Sequence, residues 1–283
     1  MNWQIFTIIS VISLSISVVL QRVLIHKNKV DPYAYAVTFQ GIVGLLLLIA
    51  ACANGFSLDG IGNYLVPAAI SVICFGIGHI FYAKTLQAIE ASNFSVLFAT
   101  QAVWTMLLGI ILLGEQISAL QIVGTVLIFA SALLLTKNIY HLARERGIVF
   151  GLATGLLFGI AVYFWSYVGR YVDSLSWAAI SFLATSVLII LARPRVVLQQ
   201  WPFLNRSILA KMVTLAIFYG LGSYMMLLAY KEGSFAVVSP LRQTSILVTV
   251  LLALVFLPAE RTRVGRKMLA AVICMIGVIC ILV

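Results

Sequence analysis

About ten apolar runs, each close to the length that crosses a bilayer, follow one another along this chain with only short links between them. Water is absent from the bilayer core, so a run of about 20 apolar residues satisfies its own N–H and C=O groups as a helix. The runs lie at roughly 3–25, 33–53, 62–88, 92–112, 118–136, 147–169, 175–192, 207–230, 234–257 and 264–283. Only 9% of the residues are charged and 63% are hydrophobic, against about a quarter charged in a soluble domain. Such a chain cannot cover a water-facing surface. The fold class is therefore all-α, a polytopic membrane protein with ten transmembrane helices.

The runs come twice. At an offset of about 142 residues Asp31 matches Asp173, Gly78 matches Gly220, Tyr82 matches Tyr224, Glu90 matches Glu232, Ser92 matches Ser234 and Gln101 matches Gln243. A gap of three residues extends the match from Glu115 to Glu260. Residues 1–140 and 141–283 thus read as two five-helix repeats forming one integral membrane unit, joined by the polar stretch 137–146. Of the eighteen Lys and Arg, fifteen fall in or beside the links after the first, third, fifth, seventh and ninth runs. Arg170 and Lys231 lie on the other side, and Arg242 lies within a run. The positive-inside rule puts both termini outside the cytoplasm. With five helices in each half, the repeats must be inverted relative to one another, a build in which the substrate site lies between them. The first run has no basic residue ahead of it and no small-residue cleavage site, so it reads as a span rather than a secretory signal.

The net charge of +10 does not indicate nucleic acid. The basic residues are spread through links, where they orient a membrane protein, and form no basic domain or stripe. Cys52, Cys74, Cys274 and Cys280 lie inside apolar runs, with no CxxC pair and no Cys/His cluster of metal-ligand spacing. No metal or cofactor is implied.

Arg242 stands out, about eight residues or 12 Å into the ninth run. An Arg this deep costs about 2.5–3.5 kcal/mol or more to insert, so it needs a cavity or a partner. It heads a stripe with Ser239, Ser245 and Thr249. One reading is an anchor for a carboxylate or phosphate, which a guanidinium grips with two hydrogen bonds. The other is a structural Arg bonded to helix-end carbonyls or to Glu90, Glu115 or another acid. Gln101 and Gln243 either line the pseudo-symmetry axis or only tie helices together. His79 and Tyr82 share a face of the third run, and Tyr219, Ser223, Met226 and Tyr230 one of the eighth. His79 either couples transport to protons or is a satisfied structural residue. Ser10, Ser13, Ser17 and Gln21 in the first run and Gly151, Gly155, Gly159 and Tyr163 in the sixth form matching faces. These faces either pack helices closely or line the cavity, with Tyr163 and Gln21 toward its cytoplasmic part. Glu115 and Glu260 lie at interfaces, where solvation or helix capping is the expected role, and Lys84 can snorkel to the cytoplasmic surface. No acid lies mid-span, which argues against a cation exporter driven by a buried carboxylate.

Phe98 to Thr136, with Leu113-Gly114-Glu115 followed by Leu120-Gln121-Ile122-Val123-Gly124, resembles the end of a repeat in the EamA family of the drug/metabolite transporter superfamily. Ser239-Pro240-Leu241-Arg242-Gln243-Thr244-Ser245-Ile246-Leu247, with Glu260 beyond, resembles its second repeat. The resemblance implies ten helices working by alternating access. Helices 1, 3, 4, 6, 8 and 9 would surround a central cavity braced by helices 5 and 10. It further implies that Arg242, Gln243, Gln101, His79, Tyr82, Tyr224 and Tyr163 lie near substrate. Related plastid phosphate translocators bind phosphate with basic residues, one of them in helix 9, which suits Arg242. One departure is that family members are described with both termini in the cytoplasm, whereas the charges here put them outside.

The resulting expectation is a secondary transporter of a small anionic or zwitterionic metabolite such as an amino acid, in the inner membrane of a prokaryotic cell. Its partners would be that metabolite and the lipid bilayer. A broad exporter of drugs or amines is the same-class alternative, and a non-transporting membrane subunit or receptor is the alternative from another class. An intramembrane enzyme would need a nucleophile with a base, paired carboxylates or metal ligands. His26 and His141 sit in links, and His79 has no mid-span acid near it in the chain, so no enzyme is expected.

Overall fold

The computed structural model describes residues 2–28, 31–89, 94, 97–98, 100–135, 146–200, 206–256 and 264–282. Glu90, Ser92, Glu260 and the stretch 137–145 lie outside the described residues. Twelve α-helices occur among them: α1 Asn2–Asn28, α2 Pro32–Ala53, α3 Leu65–Ala88, α4 Thr100–Leu113, α5 Ala119–Leu135, α6 Arg146–Tyr171, α7 Ser174–Ala192, α8 Pro194–Gln200, α9 Arg206–Glu232, α10 Phe235–Arg242, α11 Ser245–Phe256 and α12 Val264–Leu282. A single 3-10 turn, Ile61–Tyr64, leads into α3. Among the described residues six helices are long and apolar enough to cross a membrane, and Thr100–Leu113 is a shorter apolar one.

Two differences from the expected spans matter. The link after the seventh run holds the short helix α8, which Pro194 opens at a position where its missing N–H costs nothing. The ninth run is not one helix: α10 and α11 are separate, with Gln243 and Thr244 in a turn between them.

Repeat-matched residues do matched work at two starts. Asp31 caps α2, its carboxylate accepting from the N–H groups of Tyr33 and Ala34 (2.9 and 3.2 Å). Asp173 caps α7 by accepting from Ser176 N–H at 2.8 Å. Each acid satisfies orphan donors of a first turn and complements the helix dipole.

Packing is organised between the two expected halves. α3 lies along α6 and α1 along α9; α4 meets α6 and α1 meets α11; α2 pairs with α7 and α5 with α12. Exchanging the halves maps this set of pairings onto itself. Burial from water does little to join helices in lipid, so close approach and interhelical hydrogen bonds hold the bundle. The α1 serines supply the bonds. Ser10 donates to the Gly222 carbonyl at 2.6 Å and Ser17 to the Leu215 carbonyl at 3.4 Å, which makes α1 and α9 antiparallel. Gln21 extends the line, donating to Ser17 and accepting from the Tyr35 hydroxyl. The α6 glycines supply the close approach. A Cβ on Gly155 would collide with Thr100 Oγ and lie 3.2 Å from the Leu97 carbonyl, and one on Gly159 would strike Trp104. Both faces pack helices together.

The helices alternate in direction. Both described ends of the chain, with Glu115, Arg170 and the start of α10, therefore lie at one end of the bundle, the terminus-bearing end. Lys84, Arg193, Arg206, Lys211 and Arg266 lie at the other, the basic end. Tyr163 packs against Phe235 (5.1 Å between ring centroids) at the terminus-bearing end, while Gln21 bonds Tyr35 at the basic end. The expectation that they share one part of a cavity is thus corrected: matched positions in halves that exchange by a two-fold operation fall at opposite ends.

Substituting Gly155 or Gly159 with Leu is expected to cost about 1–3 kcal/mol by overpacking, read as a lower melting temperature in detergent. Gly220→Ala, where the nearest atoms would be 3.7 Å from the new Cβ, leaves it within the small range of an unstrained change.

Candidate functional site

The break in the ninth run makes the site. Pro240 brings no N–H to the ladder of α10. The chain then tightens, with Gln243 N–H donating to the Pro240 carbonyl at 2.9 Å and Thr244 N–H to the Leu241 carbonyl at 3.0 Å. These i→i+3 bonds close a tight turn between α10 and α11. Arg242, the last residue of α10, is placed at this turn about 12 Å from the helix start.

Two small cavities meet at Arg242. One, of about 40 Å³, is lined by Tyr82, Phe94, Phe98, Tyr219, Gln243 and Thr249, with Leu14, Ser15, Val18 and Ser245, and lies toward the basic end. The other, of about 20 Å³, is lined by Phe75, Phe158, Val162, Trp165, Phe182 and Met226, with Ser223, and lies toward the terminus-bearing end. Leu14, Tyr219 and Arg242 border both. Each holds at most a few waters.

The Arg242 guanidinium sits 5.9 Å from the Phe98 ring centroid and beside the Tyr230 hydroxyl. Its Nη1 is buried without a hydrogen-bond partner. The Tyr82 hydroxyl, on the wall of the larger cavity, is also buried and unpartnered. No carboxylate borders either cavity among the described residues. An orphaned buried donor is costly, and two at one cavity suit an arriving acceptor.

The structure brings together only part of the expected set. Arg242, Gln243 and Tyr82 border one cavity. His79 stands behind its wall, 97% shielded, with its ring 4.7 Å from Phe158, 6.0 Å from Tyr82 and 6.3 Å from Tyr219 between centroids. Its Nε2 has no partner. Gln101 is buried on α4 with its Oε1 unpartnered and borders neither cavity. Tyr224 is half-buried, within electrostatic reach of Asp173, and borders neither. Tyr163 belongs with Phe235, Tyr167 and Arg170 at the terminus-bearing end. Lys84 lies over the rings of Tyr33, Phe81 and Phe150 at 5.3–5.8 Å, away from the cavities. Of the polar stripe, Ser245 and Thr249 border the larger cavity, whereas Ser239 bonds Tyr230 at 3.0 Å. Sequence reasoning missed Ser15, Phe94, Phe98 and Phe158. Ser15 lies off the serine stripe and donates to the Ser245 carbonyl at 3.1 Å. The phenylalanines are indistinguishable from core by residue type.

No curated protein matches the chain. A solved crystal structure, described only as that of a protein, shares the fold at a TM-score of 0.74 and 18% identity, covering 96% of this chain and 95% of that one. Residues 1–137 and 145–283 each match the EamA-like transporter family. Apolar helices, a duplicated layout and a family match over both halves lead to one conclusion: the chain is an integral membrane protein that belongs to the EamA-like transporter family.

Proposed function

We propose that this protein is a secondary transporter of a small anionic or zwitterionic metabolite, such as an amino acid, and that Arg242 grips the anionic group. The observation that carries the reading is the Arg242 guanidinium between two cavities, with Nη1 buried and unpartnered and no carboxylate on either wall among the described residues. A guanidinium in that state is completed by a carboxylate or phosphate, through charge-assisted bonds that are strong where water is excluded. Tyr82 adds a second donor, and Gln243 borders the same space. The rings of Phe75, Phe94, Phe98 and Phe158 suit an apolar part of the ligand.

The transport unit is ten spans in two inverted repeats, 1–140 and 141–283, supported by the self-mapping helix pairings. Each cavity has room for only a few waters, and access alternates as helices shift around Arg242. The segregation of basic residues to one end supports a cytoplasmic basic end, with both termini outside, in a prokaryotic inner membrane.

The test is thermal shift of the detergent-purified protein with amino acids, organic acids, sugar phosphates, nucleotides and cationic drugs. Anionic or zwitterionic compounds are expected to raise the melting temperature of the native protein. Arg242→Gln is expected to weaken that response about 10- to 100-fold in apparent affinity, the scale of a lost charge-assisted hydrogen bond. Stabilisation by cationic amines alone, equal in the variant, would give the site to an amine exporter. For the topology, single thiols added at each terminus of a cysteine-free protein are expected to react with an impermeant reagent from outside the cell. Reaction only after the membrane is opened would reverse the orientation.

A further inference from the structure

At the terminus-bearing end the segment after α4, the end of α6 and the corner between α9 and α10 converge on one ion pair. The carboxylate of Glu115 accepts from the N–H groups of Phe235 (3.1 Å) and Ala236 (2.9 Å) and from the Ser234 hydroxyl (3.2 Å). An acid from the first half thus caps a helix of the second, satisfying orphan donors of its first turn. Arg170 closes the same corner through its acceptors. It donates to the carbonyls of Tyr230 and Gly233, both at 3.0 Å, and its guanidinium lies 4.4 Å from the Phe235 ring centroid. The two charges are 3.9 Å apart. Below them Phe235 packs against Tyr163 and Tyr230, at 5.1 and 5.0 Å between centroids.

Three features separate this cluster from an ordinary packing contact. Its side chains keep 24% and 14% exposure, so water can replace each bond as it breaks. It also sits at one end of α10, whose other end carries Arg242, and Tyr230 touches both: its carbonyl accepts from Arg170, and its hydroxyl bonds Ser239 beside Arg242. Finally, the repeat retains only part of it. Glu260 and Ser92 occupy the places matching Glu115 and Ser234, but Asn28 stands where Arg170 does and Asn93 where Phe235 does.

We propose that Glu115 and Arg170 are the latch that shuts the terminus-bearing end of the pathway, and that α10 carries this gate and the anion anchor on one rigid piece. The link to the anchor rests on the transporter reading above; the seal does not. Release of the corner frees the start of α10 to swing from α4 and α6 and opens a way to the cavity bordered by Ser223 and Arg242.

The test uses the full chain with Cys52, Cys74, Cys274 and Cys280 replaced by Ala, and Ser223→Cys as a reporter in that cavity. A charged, membrane-impermeant thiol reagent is applied from the side bearing the termini. Glu115→Gln and Arg170→Gln are each expected to raise the labelling rate roughly tenfold, as the loss of a charge-assisted bond shifts the population toward the open form. Asp59→Asn, an acid at the same end whose side chain accepts from Ser57 and bonds no other side chain among the described residues, is expected to leave it unchanged. The proposal is overturned if both latch variants label at the parent rate from that side while a permeant reagent reaches the thiol in all of them. It is equally overturned if labelling rises alike from both sides with a lowered melting temperature, because that reports loosening of the whole bundle. No substrate enters this assay, so its failure would leave the Arg242 result standing, and the reverse also holds.

Discussion

A guanidinium deep in an apolar bundle, with no acid beside it among the described residues, is the constraint around which the other features of this protein arrange themselves. Lipid cannot solvate it, and insertion at mid-depth costs at least about 2.5–3.5 kcal/mol. The chain accommodates it in three ways. Pro240 and the tight turn at Gln243 and Thr244 end a helix at its position, which keeps Arg242 out of the lipid-facing ladder. Aromatic faces and hydroxyls, from Phe98, Tyr219 and Tyr230, stand where a carboxylate would otherwise be needed. Two small cavities border it, so water or a ligand can complete its hydrogen bonds.

The surrounding scaffold is joined by contacts that suit lipid. Serine hydroxyls on α1 reach backbone carbonyls of α9, and glycines on α6 let α4 come to contact distance. These contacts depend on shape and hydrogen bonding, so they hold whether the neighbour is protein or hydrocarbon. The turn between α10 and α11 and the ion pair at the end of α10 lie outside these seams.

Much of the fold was legible in the sequence because lipid leaves the backbone few options. Span lengths followed from hydropathy, whereas the capping by Asp31 and Asp173 came only with the structure, since in the sequence they stand out just as a repeat-matched pair. The break in the ninth span did not follow from hydropathy, although Pro240 and the polar run Arg242 to Ser245 stand at it, because apolar residues flank them on both sides and the whole stretch has the length of one span. Gln101 and Gln243 have unlike settings: one is buried in the first turn of α4 and borders neither cavity, and the other lies in the turn after α10 beside one. Arg242 was legible by cost alone. Arg170 was not, since an Arg near an interface reads as solvated, and its role depends on carbonyls some 60 residues away in the chain.

The pairing of α3 and α4 with α6, and of α1 with α9 and α11, bears on how the protein can move. Each tightly packed group draws helices from both halves of the sequence. Bodies that moved as these packed groups would therefore not be the duplicated ones. A cut in the stretch that joins the repeats would leave two fragments, neither of which holds a complete body, since the glycine seam of α6 has its partner in the other fragment. Under the proposed transport cycle, each half of the sequence would supply only part of what moves, and the two would act together only by lending helices to one another.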